Sequence, residues 1–200
     1  MQRDIITGLI AGFLIGLFAI PVLETNGLIA KIPSPYISLL VVLPVAAAFG
    51  VWVARFVGRW TPFVWQLAKF GLIGVLNTAV DLGIYNTLIY LTGVTQGKGV
   101  AAFAIVGSAF AVINSYFWNR RWVFEAGREQ SLREFIQFIV VSVTAAVIAA
   151  VLVWVTTTYI RPLEGLNREQ WANVAKGTAI IFSFIWNFAG FKFFVFRKEA

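Results

Sequence analysis

Six apolar runs alternate with short polar connections along this chain, at residues 5–22, 36–57, 70–91, 100–118, 135–159 and 171–195. About 20 helical residues cross roughly 30 Å of hydrocarbon, so each run is long enough to span a bilayer. The pattern predicts an all-α polytopic membrane protein of about six transmembrane helices. The first run is long for a secretory h-region, and no small-x-small cleavage site precedes Glu24, which predicts a retained helix. Gly8, Gly12 and Gly16 recur every fourth residue in it. Small residues at that spacing let another helix backbone approach closely.

The last four runs form an internal repeat. One unit opens at Lys69-Phe70 and closes at Arg120-Arg121-Trp122-Val123-Phe124; the next opens at Gln137-Phe138 and closes at Lys192-Phe193-Phe194-Val195-Phe196. Each unit holds two spans, so both enter and leave on the same side, which predicts parallel helical-hairpin repeats around one central site. The expected organisation is an N-terminal hairpin over 1–57, an interfacial connector over 58–69 and a four-helix domain over 70–198. In the connector, Arg59 is interleaved with Trp60, Phe63 and Trp65, as suits the headgroup layer. Ser131-Leu132-Arg133-Glu134 reads as a capping box that starts the fifth helix. Pro162, Gly165 and Asn167 mark a turn in the connection that follows it.

Polar residues inside the spans stand out against this background. Asp81 lies near the middle of the third, where a carboxylate costs about 2.5–3.5 kcal/mol even on the lenient insertion scale. Gly74, Asn77, Asp81 and Tyr85 fall on one helical face. That face is either interhelical glue or part of a substrate pathway, and the two roles are compatible. The fourth span offers Gly107, Ala111 and Asn114 on one face, with Ser108 and Ser115 beside it. In the second repeat Ala145 and Ala149 replace Asn77 and Asp81, so the acid is one-sided, while Ser183, Asn187 and Gly190 give the sixth span its own polar face.

Composition narrows the chemistry. The chain is 60% hydrophobic and 12% charged, with a mean hydropathy of +0.82, which is a membrane protein's balance. It has no Cys and no His, excluding thiolate chemistry, disulfides, imidazole catalysis and Cys/His zinc sites. No metal-ligand cluster or nucleotide-binding loop is present in the sequence, so neither an enzyme nor a bound cofactor is expected. The net charge of +7 is distributed between the spans rather than along a stripe, which points to anionic lipids and not to nucleic acid. Arg3, Arg55, Arg59, Lys69, Arg120, Arg121, Arg128, Arg133, Lys192, Arg197 and Lys198 fall on one side. Lys31, Lys98, Arg161, Arg168 and Lys176 fall on the other. The positive-inside rule puts the larger group and both termini in the cytoplasm, in a multi-pass protein of the cell membrane.

The segment Lys69-Phe-Gly-Leu-Ile-Gly-Val-Leu-Asn-Thr-Ala-Val-Asp81, with Asn114 and Asn119-Arg-Arg-Trp-Val-Phe124, resembles the first half of GtrA-like membrane proteins. Asn187-Phe-Ala-Gly-Phe-Lys192-Phe-Phe-Val-Phe196 resembles the closing half. The resemblance covers about residues 67–198 and leaves the N-terminal hairpin outside. One extra residue separates Asn114 from the Arg-Arg pair relative to the usual spacing. The resemblance implies a four-helix core that flips polyprenyl-phosphate-linked sugars for cell-surface polysaccharides, or that serves beside a glycosyltransferase.

With that implication, Lys69, Arg120, Arg121 and Lys192 become candidates for a lipid phosphate, arginine binding bidentately and lysine as a point charge. Ordinary positive-inside anchoring explains the same residues equally well. Asn77, Asp81, Asn114, Tyr116 and Trp118 are the candidates for the sugar hydroxyls, although aromatic residues at a helix end also suit an interface belt, and Tyr85, Asn119 and Asn187 complete the substrate-binding set. The first expectation is translocation of a polyprenyl-phosphate-linked monosaccharide. The alternative is a non-catalytic anchor or partner of a polyprenyl-phosphate glycosyltransferase, with the hairpin as docking surface and a homo-oligomer as a further possibility.

Overall fold

The computed structural model describes residues 1–94, 97–126, 131–165 and 168–196, and among them the chain forms helices and no strand. We number six helices. α1 is Gln2–Thr25, α2 Pro35–Val57 and α3 Pro62–Thr92. α4 is Gly97–Trp118 and ends in a π turn, Asn119–Val123. α5 is Leu132–Tyr159, and α6 is Arg168–Gly190 with a terminal π turn, Phe191–Val195. Each holds a stretch long and apolar enough to cross a bilayer, so this is an all-α multi-pass membrane protein. The two terminal π turns occupy corresponding positions of the two sequence repeats, so the repeat extends to backbone conformation.

Local sequence sets the helix ends. Pro62 stands in the first turn of α3, where a missing N–H costs nothing. The helix then runs unbroken to Thr92. The expected connector over 58–69 therefore divides: residues 58–61 form a turn, and Phe63 to Ala68 belong to α3. Gly93 ends α3 in the left-handed region (φ 69°), its N–H donating to the Ile89 carbonyl at 2.8 Å. Ser131 caps α5, its hydroxyl accepting from the Glu134 N–H at 3.1 Å, which is the N-cap half of a capping box. Arg128, Asn167, Arg197 and Lys198 lie outside the described residues.

The chain divides into two units, Met1–Val123 and Phe124–Ala200. The first joins the N-terminal hairpin to the first repeat. Here the glycine face of α1 meets the backbone of α2: a Cβ on Gly12 would lie 2.6 Å from the Pro44 Cα, and one on Gly16 would collide with the Leu39 carbonyl. α3 buries a stripe of Phe70, Ile73, Leu76, Val80 and Gly83 at helical spacing. Gly83 meets Phe18 of α1, a Cβ there lying 2.6 Å from the Phe18 carbonyl oxygen. Close backbone approach through small residues maximises dispersion contact where lipid removes the hydrophobic drive to associate.

The second unit, α5 and α6, is built around phenylalanine. Phe138 of α5 stacks on Phe191 with ring centroids 4.4 Å apart, and Phe124 stacks on Phe196 at 5.3 Å. All four rings are buried. Three of the phenylalanines that mark the repeat boundaries in the sequence, Phe124, Phe138 and Phe196, thus belong to this unit's core. Gly190 lies against Val141, and the Ser183 hydroxyl donates to the Ala145 carbonyl at 3.4 Å.

Candidate functional site

A polar seam joins α3 to α4 inside the first unit. At one end of it the Ser108 hydroxyl donates to Asp81 Oδ1 at 3.2 Å. Gly107 makes this contact possible. A Cβ there would stand 2.6 Å from the Asp81 carbonyl oxygen and 2.8 Å from Oδ1, so any larger residue pushes the helices apart. One turn along α3, Asn114 Nδ2 donates to Asn77 Oδ1 at 2.7 Å, and Asn114 Oδ1 accepts from the Trp118 indole N–H at 3.0 Å.

The seam is only partly closed. Asp81 and Asn77 are half-buried and Ser108 is exposed. Among the described residues, Asp81 Oδ2 and the Asn77 amide N–H groups have no protein partner. An acceptor and a pair of donors one turn apart suit a polyhydroxylated ligand, because each hydroxyl both donates and accepts. Tyr85 continues the face one turn beyond Asp81 and is half-buried.

Three turns along α3 from Asp81, the seam runs into a cluster of cations and indoles. The π turn that ends α4 leaves successive carbonyls without intrahelical donors. Side chains take them up: Arg3 donates to the Arg121 carbonyl at 3.3 Å, Lys69 to that of Trp122 at 2.6 Å and Gln66 to that of Val123 at 3.3 Å. Cations suit this end of a helix, where the macrodipole is negative. Lys69 is only 3% exposed, with its ammonium 5.1 Å from the Trp65 ring centroid and 5.8 Å from that of Trp122. Asp4 completes the cluster. Its carboxylate pairs with Arg55 at 2.8 Å and accepts from the Trp122 indole at 3.2 Å, while Arg55 lies 5.4 Å over Trp65.

The residues singled out from the sequence therefore separate. Asn77, Asp81 and Asn114 come together on the seam, with Trp118 at its end. Lys69 and Arg120 are buried, and Lys69 serves as a cap on α4. Arg121 is exposed, with its guanidinium 5.5 Å over Phe117. Asn119 is 1% exposed; its amide donates to the Ser115 carbonyl at 2.8 Å, and its Oδ1 is buried with no protein donor. In the second unit Asn187 Oδ1 is likewise buried and unmatched, and Lys192 is half-buried beside Phe188 and Phe193.

Asp4, Arg55 and Trp65 were missed as a group by sequence reasoning. The available signal was an acid in the first turn of an otherwise apolar helix, a common N-terminal dipole partner. No spacing rule ties it to residues 55 and 122. Among the described residues no group of acids forms a metal site.

The uncharacterized membrane protein YngA of Bacillus subtilis (strain 168) is 28% identical over 88 residues, covering 44% of this chain and 56% of that relative. This chain thus matches little more than half of the relative's length. Residues 69–196, from the capping lysine through both π turns, match the GtrA/DPMS transmembrane domain. The chain belongs to that family of membrane proteins.

Proposed function

We propose that this protein translocates a polyprenyl-phosphate-linked monosaccharide between leaflets for cell-surface polysaccharide biosynthesis, and performs no covalent chemistry itself. The observation that carries this reading is the half-open polar seam, which leads from Asp81 inside the bilayer to the cation-rich helix ends. Membership of the GtrA/DPMS family, consistent with handling lipid-linked sugars, supports it. The sugar's hydroxyls exchange water for Asn77, Asp81 and Ser108, which lowers the cost of carrying a polar headgroup through hydrocarbon. The phosphate remains at headgroup depth with Arg121, and Lys192 offers a corresponding cation in the second repeat.

This division of labour gives a binding prediction. Arg121→Gln alone should weaken binding of a polyprenyl phosphate about tenfold or more, as expected for losing a charge-assisted hydrogen bond worth about 1.5–3 kcal/mol, and Lys192→Gln is read separately as its counterpart in the second repeat. Titration of the detergent-solubilised protein measures it. Unchanged lipid affinity with collapsed membrane insertion would make these residues topology anchors instead.

In this reading the end carrying Lys69, Arg120 and Arg121 faces the cytoplasm, as the basic asymmetry of the connections implies. A single cysteine placed at Glu125 should resist an impermeant maleimide on intact cells and react after permeabilisation. Reaction on intact cells would invert the topology.

A second reading, an anchor for a glycosyltransferase, draws on the hairpin. Phe49, Trp52, Phe56 and Trp60 form an exposed aromatic ladder along α2 and the turn after it, with neighbouring centroids 5.7, 6.5 and 5.0 Å apart. Such a ladder suits a partner helix. Movement of lipid by the purified chain alone separates the two readings.

A further inference from the structure

Among the described residues of its own unit, Asp81 has no cationic partner. The sequence contains no His, and no Lys or Arg lies in the middle of the four spans of the unit that holds Asp81. Lys69, the nearest cation along α3, is twelve residues away, about 18 Å of helix, and is engaged by the Trp122 carbonyl. The elements packed against α3 bring no cation to this level. α1 carries Arg3, Asp4 and Glu24 at its ends; α2 carries Arg55 at its end, with Arg59 just beyond; α4 carries Lys98, Arg120 and Arg121 at its ends. The titratable neighbours on α3 itself are the phenols Tyr85 and Tyr90.

The local geometry makes the omission more pointed. The only protein donor to Asp81 among the described residues is the Ser108 hydroxyl, itself exposed, and Oδ2 has none. A carboxylate used solely to hold two helices together is normally matched by the groups it joins, because an unmatched ion in low dielectric is costly. Here the glycine at 107 brings the α4 backbone against the acid while leaving one oxygen open.

We propose that Asp81 is the seat of an exchangeable monovalent cation, a proton or Na⁺, taken up and released as the protein moves its substrate. This rests on the translocation reading and supplies its energy coupling. Ser108 Oγ and Asp81 Oδ2 are the oxygens available to the ion. With the cation bound the seam is neutral and the two helices slide past hydrocarbon at low cost. With the cation released the carboxylate stays oriented towards water or the sugar hydroxyls.

The test begins without transport. The purified full chain in detergent is treated with dicyclohexylcarbodiimide, which attacks protonated carboxyls in apolar surroundings, and the adduct is located by peptide mass spectrometry. The expected result is an adduct at Asp81, absent from Asp81→Asn. It fades as pH rises if the ion is a proton, or on adding NaCl but not choline chloride at fixed pH if it is Na⁺. An adduct that never forms, or that ignores both pH and Na⁺, overturns the proposal. The second arm places the protein in vesicles with a fluorescent polyprenyl-phosphate hexose and imposes a gradient of the ion identified. Wild-type movement should accelerate and that of Asp81→Asn should not; movement indifferent to the gradient overturns the coupling. Cation-sensitive labelling with no lipid movement in any condition supports the site and overturns the translocation reading instead.

Discussion

Asp81→Asn should fold, insert and assemble as the wild type does, and should lower transport or surface glycosylation about 10- to 100-fold. The first half of this expectation follows from the Ser108 contact: an asparagine Oδ1 accepts the same hydroxyl that Asp81 Oδ1 accepts at 3.2 Å. The second follows from Oδ2, which the substitution converts from an acceptor to a donor while removing the charge. Hydrogen bonds to charged groups contribute about 1.5–3 kcal/mol, which sets the expected fold-loss.

Asp81→Leu sharpens the distinction. Interhelical polar pairs in membranes average only about 0.6 kcal/mol, so losing the Ser108 contact should barely lower the melting temperature. Activity should fall as far as in Asp81→Asn. Near-native activity of Asp81→Asn, together with a marked thermal loss in Asp81→Leu, would reduce the residue to packing glue.

The second large effect belongs to Lys69, and it should appear in stability before function. Lys69→Met leaves the Trp122 carbonyl without its 2.6 Å donor and removes a cation from between two indoles. A charged hydrogen bond of about 1.5–3 kcal/mol and a desolvated cation–π contact of up to about 2 kcal/mol are lost. Relief of the buried ammonium's desolvation offsets part of this. A net loss on the order of 2 kcal/mol should register as a lowered melting temperature in detergent. Lys69→Gln, which retains an N–H donor, should recover part of it. A Lys69→Met protein of wild-type stability that fails only to bind lipid phosphate would show the lysine acting as ligand and not as cap.

These two residues also show how much the sequence disclosed. The six spans were legible because each is a long apolar run. The repeat was legible because both halves close on a basic residue followed four positions later by phenylalanine. The glycine face of α1 and the Asn77–Asp81 face of α3 were legible because helical periodicity fixes which residues align within one helix. The start of α3 was less so: the aromatic residues after Arg59 suggested an interfacial segment, yet Pro62 already marks a helix's first turn.

Contacts between helices were the harder part. Asp4, Arg55 and Trp122 are far apart in the chain and meet only through the register of α1, α2 and α4. The role of Lys69 depends on a π turn fifty-three residues away. In sequence, a lysine at a span end reads equally as topology anchor, phosphate ligand or helix cap. The extra residue before the Arg-Arg pair also gains a context. α4 widens into a π turn at Asn119–Val123, and α6 does the same at Phe191–Val195, so the widened turn belongs to the end of each repeat. Asn114, just over one turn earlier, donates to Asn77 on the seam.

The most direct measurement places the purified chain alone in vesicles with a fluorescent polyprenyl-phosphate hexose, and follows loss of protection of the inner-leaflet label from a membrane-impermeant quencher. Wild-type protein should make the inner pool accessible far faster than empty vesicles do, with Asp81→Asn close to the empty control. Wild-type vesicles indistinguishable from empty ones, using folded protein that still binds the lipid, would contradict translocation by this protein.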